Sequence, residues 1–269
     1  MKLKLILAIT LLAALPAGFS YAQRSPAAAA KTSPAAAAKT SPAAAKTSSS
    51  PASATSPTTS ASPARTDLYH VHFTHAVPGK ANELADSVKQ PDPTAPMPGH
   101  SVVLRHQDGD SWDYVAIEHL GPKATLEAAR PVPASAAAAR DLSDWHTDTY
   151  VSGPAWADFA KALGINEGAG KSALYIVSIY RAVPGHREQL DTMISSPSAG
   201  DPAAGNVVLQ HLEGAAWTFM SVVRYATWED FVKSKTSGAA DQATGAGNWA
   251  KVREHFSYHT DTLADRILP

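Results

Sequence analysis

The residues of this chain that offer the clearest chemistry are His70 and His72. They lie two positions apart in an alternating apolar and polar stretch that predicts a β-strand, and this spacing puts both side chains on one side. Two imidazoles on one side could ligate a metal ion, with Glu118 as an oxygen ligand, or a haem. They could also transfer protons near neutral pH, or be hydrogen-bonded strand residues in a chain with 11 histidines.

Three further residues join the histidines in the candidate ligand site. Arg105 could hold an anionic ligand, but an ion pair with Glu118 across neighbouring strands is the favoured interpretation. Tyr114 is predicted to project from its own strand to the same side. The candidate ligand site therefore comprises His70, His72, Arg105, Tyr114 and Glu118. Only His70 and His72 are candidate metal ligands, the cofactor stays unknown, and no residue is assigned a catalytic role.

These residues belong to the first of two copies of one sequence pattern. The stretch LYHVHFTHAVPGKANEL at 68–84 recurs as LYIVSIYRAVPGHREQL at 174–190, and each copy predicts a strand, a Pro-Gly turn and a helix. The stretch VVLRHQDGDSWDY at 102–114 recurs as VVLQHLEGAAWTF at 207–219, and both predict a β-hairpin around an acidic-Gly turn. The Trp of each hairpin copy, Trp112 or Trp217, is expected to pack in the core.

Each copy ends with the same four residues, HTDT, at 146–149 and at 259–262. No Ser lies in a nucleophile-elbow pattern, so the His and Asp of this motif do not predict a catalytic triad. Its presence in both halves favours a structural role, such as Thr and Asp hydrogen bonding at the end of a strand. Between the halves, residues 154–164 predict a short helix with Pro in its first turn and Gly at its end.

The order of elements in each half is β-α-β-β-α-β, with the second helical region interrupted by Pro131 and Pro133 in the first half and by a Gly-rich stretch in the second. This order is the ferredoxin-like arrangement. The predicted fold class is therefore α+β, with two tandem ferredoxin-like modules.

The Val-Pro-Gly that ends the first strand, at 77–79 and again at 183–185, resembles the dimeric α/β-barrel superfamily when taken with this order of elements. That superfamily includes NIPSNAP-like proteins and antibiotic-biosynthesis-type monooxygenases. The resemblance implies that the two modules pair face to face into a pseudo-dimeric α/β barrel, which predicts a monomer. It leaves activity open, because the superfamily includes oxygenases, isomerases, haem-handling enzymes and proteins without known activity.

Alternation along the strands also predicts which side faces the barrel interior. Tyr69, Val71 and Phe73 form the side that is apolar in both halves, so we expect them beneath the helices. His70 and His72 would then face the space between the paired sheets, and the ligand cavity would lie there, in the first half.

Composition sets the boundaries of the chain's segments. Lys2 and Lys4 precede an apolar run and a small-residue cleavage pattern, which predicts a secretory signal peptide. Repeats of SPAAAAKT then predict a disordered, Ala/Pro/Ser/Lys-rich tether. The predicted segments are the signal peptide at 1–22, the tether at 23–66, the first module at 67–164, a linker at 165–172 and the second module at 173–269.

Charge and cysteine content exclude several function classes. All 24 Asp and Glu fall within 67–269, where 16 Lys and Arg leave a formal net charge of −8, so a nucleic-acid surface is excluded. The chain has no cysteine, which excludes disulfides and a thiol nucleophile. We expect a periplasmic or secreted protein that does not span the membrane after signal cleavage and binds a small apolar or anionic ligand. Alternatives are a cofactor-independent oxygenase or isomerase, a haem-handling enzyme, and an envelope interaction module without a ligand.

Overall fold

The structure, a computed structural model, describes residues 64–90, 93, 95–123, 141–165, 173–196, 200–243 and 249–269. The predicted signal peptide, residues 23–63 of the predicted tether, residues 166–172 of the predicted linker and the region around Pro131 and Pro133 lie outside these ranges. Within the described ranges, no helix is both long enough and apolar enough to cross a membrane.

Eight strands and five helices make up the described part of the chain. The strands are β1 Asp67–Ala76, β2 Ser101–Asp108, β3 Tyr114–Pro122, β4 Ser143–Gly153, β5 Leu174–Ala182, β6 Gly205–Glu213, β7 Phe219–Tyr225 and β8 Phe256–Leu268. The helices are α1 Ala81–Val88, α2 Trp156–Ala162, α3 Arg187–Ser195, α4 Trp228–Ala243 and α5 Trp249–Arg253. Both predicted hairpins and the predicted helix between the halves are confirmed. The Gly-rich stretch expected to interrupt the last helical region begins inside α4, which continues to Ala243.

The strands form one closed antiparallel barrel in the order β1-β3-β2-β8-β5-β7-β6-β4. The strands of the first half are contiguous as β4-β1-β3-β2, and those of the second half repeat this order as β8-β5-β7-β6. Two seams, β2–β8 and β4–β6, join the halves. The fold is therefore α+β, with an eight-stranded barrel and helices packed on its outer face, and closure pairs each of the eight described strands on both sides.

The interior of the barrel is filled by side chains from both halves. Tyr69 and Val71 of β1 and Tyr175 and Val177 of β5 are at most 1% exposed and belong to one apolar cluster. Trp112 lies in the same cluster at 2% exposure, so its predicted core role is confirmed. Complete burial of one such aliphatic side chain stabilises a fold by about 1.5–3 kcal/mol. Among the described residues, the space between the paired sheets, where the ligand cavity was predicted, is occupied by core side chains.

The predicted assignment of strand faces is wrong. Tyr69, Val71 and Phe73 point into the barrel, and His70 and His72 lie on the outer face, which also carries the helices. Alternation could not distinguish the two faces, because a barrel strand is covered on one side by the opposite half and on the other by helices. Both histidines keep partial exposure on the outer face, whereas Tyr69 and Val71 on the inner face are fully buried. The strictly apolar set of residues is therefore the inner one.

One helix of each half packs on the outer face in an equivalent way. In the first half Leu84 of α1 packs against Val103 and Tyr114. In the second half Leu190 of α3 packs against Val208 and Phe219. Each of these leucines is at most 1% exposed. The repeated strand-turn-helix stretch of the sequence thus builds the same packing unit twice.

Helix α2 is fixed to the barrel by equivalent tyrosines of the two halves. The Tyr69 hydroxyl donates to the Pro154 carbonyl at 2.6 Å, just before α2 begins. The Tyr175 hydroxyl donates to the Leu163 carbonyl at 2.9 Å, just after α2 ends. Phe159 of α2 stacks on Tyr69 with ring centroids 4.9 Å apart. The helix therefore belongs to the core of both halves.

Arg65, near the end of the predicted tether, is bound to the second half. Its guanidinium donates two hydrogen bonds to Asp191 of α3, at 2.6 and 2.5 Å, and a third to the Val208 carbonyl at 3.1 Å. Burial alone would raise the pKa of Asp191, but the hydrogen bonds and charge of Arg65 hold that pKa below its ordinary value. This ion pair fixes the point at which the chain enters the barrel.

The two hairpin turns meet the HTDT strands across the seams. Gly109 and Gly214 have φ of 128° and 105°, in the range that favours glycine. A Cβ on Gly109 would collide with the Asp261 carbonyl oxygen, and a Cβ on Gly214 would collide with that of Asp148. The turn of each half therefore rests directly on the HTDT backbone of the other half.

Replacing Gly109 with alanine should weaken the barrel by forcing these backbones apart. We expect Gly109→Ala to lower the free energy of unfolding by about 3 kcal/mol or more, since overpacking and positive-φ strain each cost about 1–3 kcal/mol. Gly79, with φ 83° and nothing near its missing Cβ, gives a control for φ strain alone. Urea unfolding of the full chain should show a smaller loss for Gly79→Ala. Equal losses in the two variants would contradict the proposed contact.

Candidate functional site

A cluster of histidines and carboxylates lies on the outer face of strands β4, β1 and β3. The histidine–carboxylate cluster comprises His70, His72, Glu118, His146 and Asp148. Strand pairing places Asp148 of β4 opposite His72, and Glu118 of β3 opposite His70. Because directly opposed residues in antiparallel strands have their Cβ atoms about 5 Å apart, their side-chain ends can meet.

Asp148 is the centre of this cluster. Its Oδ1 atom lies 2.9 Å from His70 Nε2 and 2.8 Å from His72 Nδ1. Its Oδ2 atom lies 3.5 Å from His146 Nε2. The second nitrogen of His70, Nδ1, lies 3.0 Å from Glu118 Oε2. His70 therefore lies between two carboxylates, and the Asp148 carboxylate contacts three imidazole rings.

Opposite charges within the cluster stabilise the ionised forms of His70 and Asp148. Burial disfavours the imidazolium form of His70, but hydrogen bonds to Asp148 and Glu118 outweigh burial and raise the pKa of His70 to about 9. Hydrogen bonds from His70 and His72 hold the pKa of Asp148 well below its ordinary value. At neutral pH the pair is an imidazolium beside a carboxylate.

The structure brings three of the five predicted site residues together and separates the other two. His70, His72 and Glu118 share the cluster. Tyr114 is 4% exposed, packs beneath α1, and donates its hydroxyl hydrogen bond to the Ala81 carbonyl at 2.8 Å. Its role in the described structure is to fix that helix.

The predicted Arg105–Glu118 ion pair is wrong. Arg105 instead pairs with Asp265 of β8, with Nη2 and Oδ2 2.9 Å apart and a second hydrogen bond from Nε at 3.1 Å. β2 lies next to β8 in the closed barrel, so a residue from the other half supplies the partner. Alternation within one half could not show that neighbour. Hydrogen bonding raises the pKa of Arg105 and leaves it a cation at this seam.

Sequence reasoning missed Asp148 and His146 as site residues because it gave HTDT a role at a strand end. The motif lies inside strands β4 and β8, where alternate residues have opposite faces. Thr149 and Thr262 point inward at 0% and 1% exposure, so the His and Asp of each motif point outward. The sequence feature that could have identified them is the two-residue spacing of His and Asp in both HTDT copies, which puts the two side chains on the same face of a strand.

The second half carries an equivalent but different arrangement. Asp261 Oδ1 lies 2.8 Å from His259 Nε2 and accepts a hydrogen bond from the Ser178 hydroxyl at 2.6 Å. The Tyr180 ring stacks on His259 with centroids 4.6 Å apart. Burial and the charge of Asp261 raise the pKa of Tyr180 to about 12. This phenol therefore stays protonated and can donate a hydrogen bond.

A cavity of about 230 Å³ opens above this second arrangement. It lies on the outer face of β5, β7 and β8 and also contacts α3, α4 and α5. Its lining includes apolar Ile176, Val223 and Phe256 and polar Ser178, His259 and Asp261. We call this space the second-half cavity. Apolar walls with a few convergent polar groups are typical of small-molecule sites.

The barrel interior does not fit a haem in the described part of the chain. Fully buried side chains of both halves occupy the space between the two sheets. His70 and His72 lie on the opposite face of their strand from that space. The haem alternative therefore gains no support from the position of the histidines.

Comparisons with known proteins bear on the fold. No protein-family model and no curated protein matches this chain. The crystal structure of an anthrone oxidase-like protein is similar, with 15% sequence identity, a TM-score of 0.52, and coverage of 75% of this chain and 92% of the other. A proposed monooxygenase from Lactobacillus acidophilus NCFM has 9% identity and a TM-score of 0.45, with 75% and 94% coverage. The first likeness shows the fold alone, an α/β barrel.

Removing the charge of Glu118 should lower the pKa of His70. We expect Glu118→Gln to bring that pKa from about 9 down toward its ordinary value, because the imidazolium loses an anionic acceptor. Because the pKa of His70 is higher in the folded than in the unfolded chain, protonated His70 stabilises the fold. This stabilisation is complete below the unfolded-state pKa of about 6.5 and is lost as pH rises through about 9. The variant should therefore lose stability chiefly at acid and neutral pH. NMR titration of the His70 ring in chelator-treated protein tests this. Glu83→Gln, on exposed α1, is the control, and an unchanged His70 titration in Glu118→Gln would contradict the assignment.

Proposed function

We propose that this chain is an exported small-molecule-binding protein of the α/β-barrel type, and that its ligand binds in the second-half cavity. The observation that carries the proposal is the cavity of about 230 Å³ with the Asp261–His259 pair on its lining. Sequence alone placed the ligand in the first half, between the sheets. The filled barrel interior moves the proposed site to the outer face of the second half.

The lining of the second-half cavity indicates the class of ligand. Ile176, Val223 and Phe256 offer apolar contact. The Asp261 carboxylate is 40% exposed; its partial desolvation would raise its pKa, but the hydrogen bond and charge of His259 hold that pKa below its ordinary value. A volume of about 230 Å³ lies below the usual 300–1,000 Å³ of drug-sized sites. We infer a ligand of one or two rings that carries a hydroxyl group to donate to Asp261.

The remaining parts of the proposal concern the whole chain. The strand order β4-β1-β3-β2, repeated as β8-β5-β7-β6, supports two tandem ferredoxin-like modules. Two seams within one chain supply the contacts that separate modules would make by dimerising, which supports a monomer. The basic start and apolar run at residues 1–22 support export.

Filling the second-half cavity should weaken ligand binding. The probe is 2-naphthol, titrated into the full chain by calorimetry. Ser221, 3% exposed on the cavity lining, is replaced by leucine, and we expect at least about a tenfold weaker Kd, equal to about 1.4 kcal/mol. Ala116, the equivalent residue of the first half, gives the matched variant Ala116→Leu, which should bind normally. Thermal unfolding checks that both variants fold.

Absence of binding by the parent chain to 2-naphthol and to phenol would contradict the proposed ligand class. Equal weakening by Ser221→Leu and Ala116→Leu would contradict the proposed location.

Base catalysis is the second candidate function, and the His259–Asp261 contact favours it. A neutral imidazole held by a carboxylate can remove a proton from an acidic C–H or O–H group. An anion formed in this way from an anthrone-like ketone is electron-rich and is the form that reacts with O₂. The fold likeness to an anthrone oxidase-like protein makes this an apt class of substrate to test. It corresponds to the cofactor-independent oxygenase alternative from the sequence.

Oxygen uptake with anthrone tests this candidate. If His259 is the base, His259→Gln should lower the rate by about 10²- to 10⁴-fold, the usual contribution of a positioned base. His146→Gln, the same change in the first HTDT copy, should leave the rate unchanged. No uptake above the uncatalysed reaction, or equal loss in the two variants, would contradict catalysis at this site.

A further inference from the structure

We propose that His70, His72 and Asp148 form a binding site for one divalent transition-metal ion on the outer face of the first half. Each of the three side chains offers one ligand atom, and these three atoms all lie within 4.8 Å of one another. The site is separate from the second-half cavity. It does not rest on the function proposed for that cavity.

The distances suit a shared ion. Both imidazole nitrogens approach the same carboxylate oxygen, at 2.9 Å and 2.8 Å. Ligands about 2.0–2.2 Å from a tetrahedral Zn²⁺ are separated by roughly 3.4 Å. An ion can therefore enter between the three atoms if the side chains move by less than about 1 Å, a shift that rotation of the partly exposed rings allows.

The donor set selects the class of metal. Two imidazoles and one carboxylate suit Zn²⁺, Co²⁺ and Fe²⁺, whereas Ca²⁺ and Mg²⁺ prefer sites made of oxygen atoms. The three ligands come from neighbouring strands β1 and β4, so a rigid sheet fixes their backbone positions. Strand positions hold ligands more accurately than loops do.

Glu118 supplies the outer contact that metal-binding histidines usually have. It accepts a hydrogen bond from His70 Nδ1 at 3.0 Å, and a metal ion that binds Nε2 displaces the proton that this nitrogen donates to Asp148 and releases it to solvent. Metal-ligating histidines almost always donate their other ring N–H to a carboxylate, a carbonyl or water, which fixes the tautomer and the ring orientation. The sequence suggested Glu118 as a direct ligand, but its position behind His70 makes it a positioning residue.

The second half shows what the same framework looks like without these groups. The repeat aligns His70 with Ile176, His72 with Ser178 and Glu118 with Val223. Of His70, His72, Glu118 and Asp148, only Asp148 has the same residue type in the second half, as Asp261. The Asp261 carboxylate forms hydrogen bonds with Ser178 and His259. Both imidazole donors and the orienting carboxylate are thus confined to the first half, which argues for a task beyond support of the fold.

The site is open to solvent, so an ion can enter and keep free coordination positions. The side chains of His72 and Asp148 are 28% and 48% exposed. Three protein ligands leave at least one position for water or another small ligand, as in catalytic rather than structural zinc sites. The structure therefore assigns this site to reversible or reactive metal binding.

Cobalt titration of the full chain tests the proposal. The protein is prepared without a histidine tag, treated with a chelator, and titrated with Co²⁺ while visible absorption is recorded, with Zn²⁺ competition by calorimetry. We expect one equivalent of Co²⁺ to bind with ligand-field bands that Zn²⁺ abolishes. His72→Ala and Asp148→Asn should each remove this equivalent, and Glu118→Gln should weaken it roughly 10- to 100-fold.

The second half gives the matched control. His259→Ala and Asp261→Asn change the equivalent HTDT residues and should leave the equivalent of Co²⁺ intact. His72→Gln serves if His72→Ala fails to fold, which thermal unfolding reveals. No stoichiometric binding by the parent chain, or binding that survives in both His72→Gln and Asp148→Asn, would overturn the proposal. Failure of 2-naphthol binding would leave this result unaffected, so the two proposals are tested separately.

Discussion

The contact between each hairpin turn and the HTDT backbone of the opposite half is the constraint on which the rest of the structure depends. Gly109 lies against Asp261 and Gly214 lies against Asp148, at distances that admit no side chain. These contacts lie at the β2–β8 and β4–β6 seams, where the barrel closes. Strands β4 and β8 therefore carry out two tasks at once. Their backbones hold the halves together, and their outward Asp residues organise the polar groups.

Closure also decides where chemistry is located. The interior is occupied by apolar side chains of both halves, and loss of any of them would cost stability. The inward polar residues, such as Thr149 and Thr262, are fully buried, and the ionisable groups of both proposed sites lie on the outer face, where exposure or a cavity can accommodate them. The histidine–carboxylate cluster and the second-half cavity lie on equivalent parts of that face. Both proposed sites follow from a barrel too well filled to hold a ligand inside.

The sequence predicted much of the fold because its signals were local. The repeated strand-turn-helix stretch, the acidic-Gly hairpins and the helix at 154–164 depend on periodicity and turn residues within a few positions. The errors concern partners from the other half. Arg105 binds Asp265 across a seam, and the inner face of β1 is covered by β5 residues. His70, His72 and Glu118 do meet, but Asp148, the residue that unites them, lies on β4, whose pairing with β1 spans a long separation in sequence that local periodicity does not show.

Fusion of the two halves has a consequence for how this protein can change. In a dimer of identical chains, one codon sets the residue at both equivalent positions, so a ligand set gained in one half is imposed on the other. Here His70 and Ile176 are encoded separately. A substitution at one can be selected without altering its counterpart. The shared seams with their glycines restrict both copies, while the two outer faces are free to acquire unrelated tasks within one molecule.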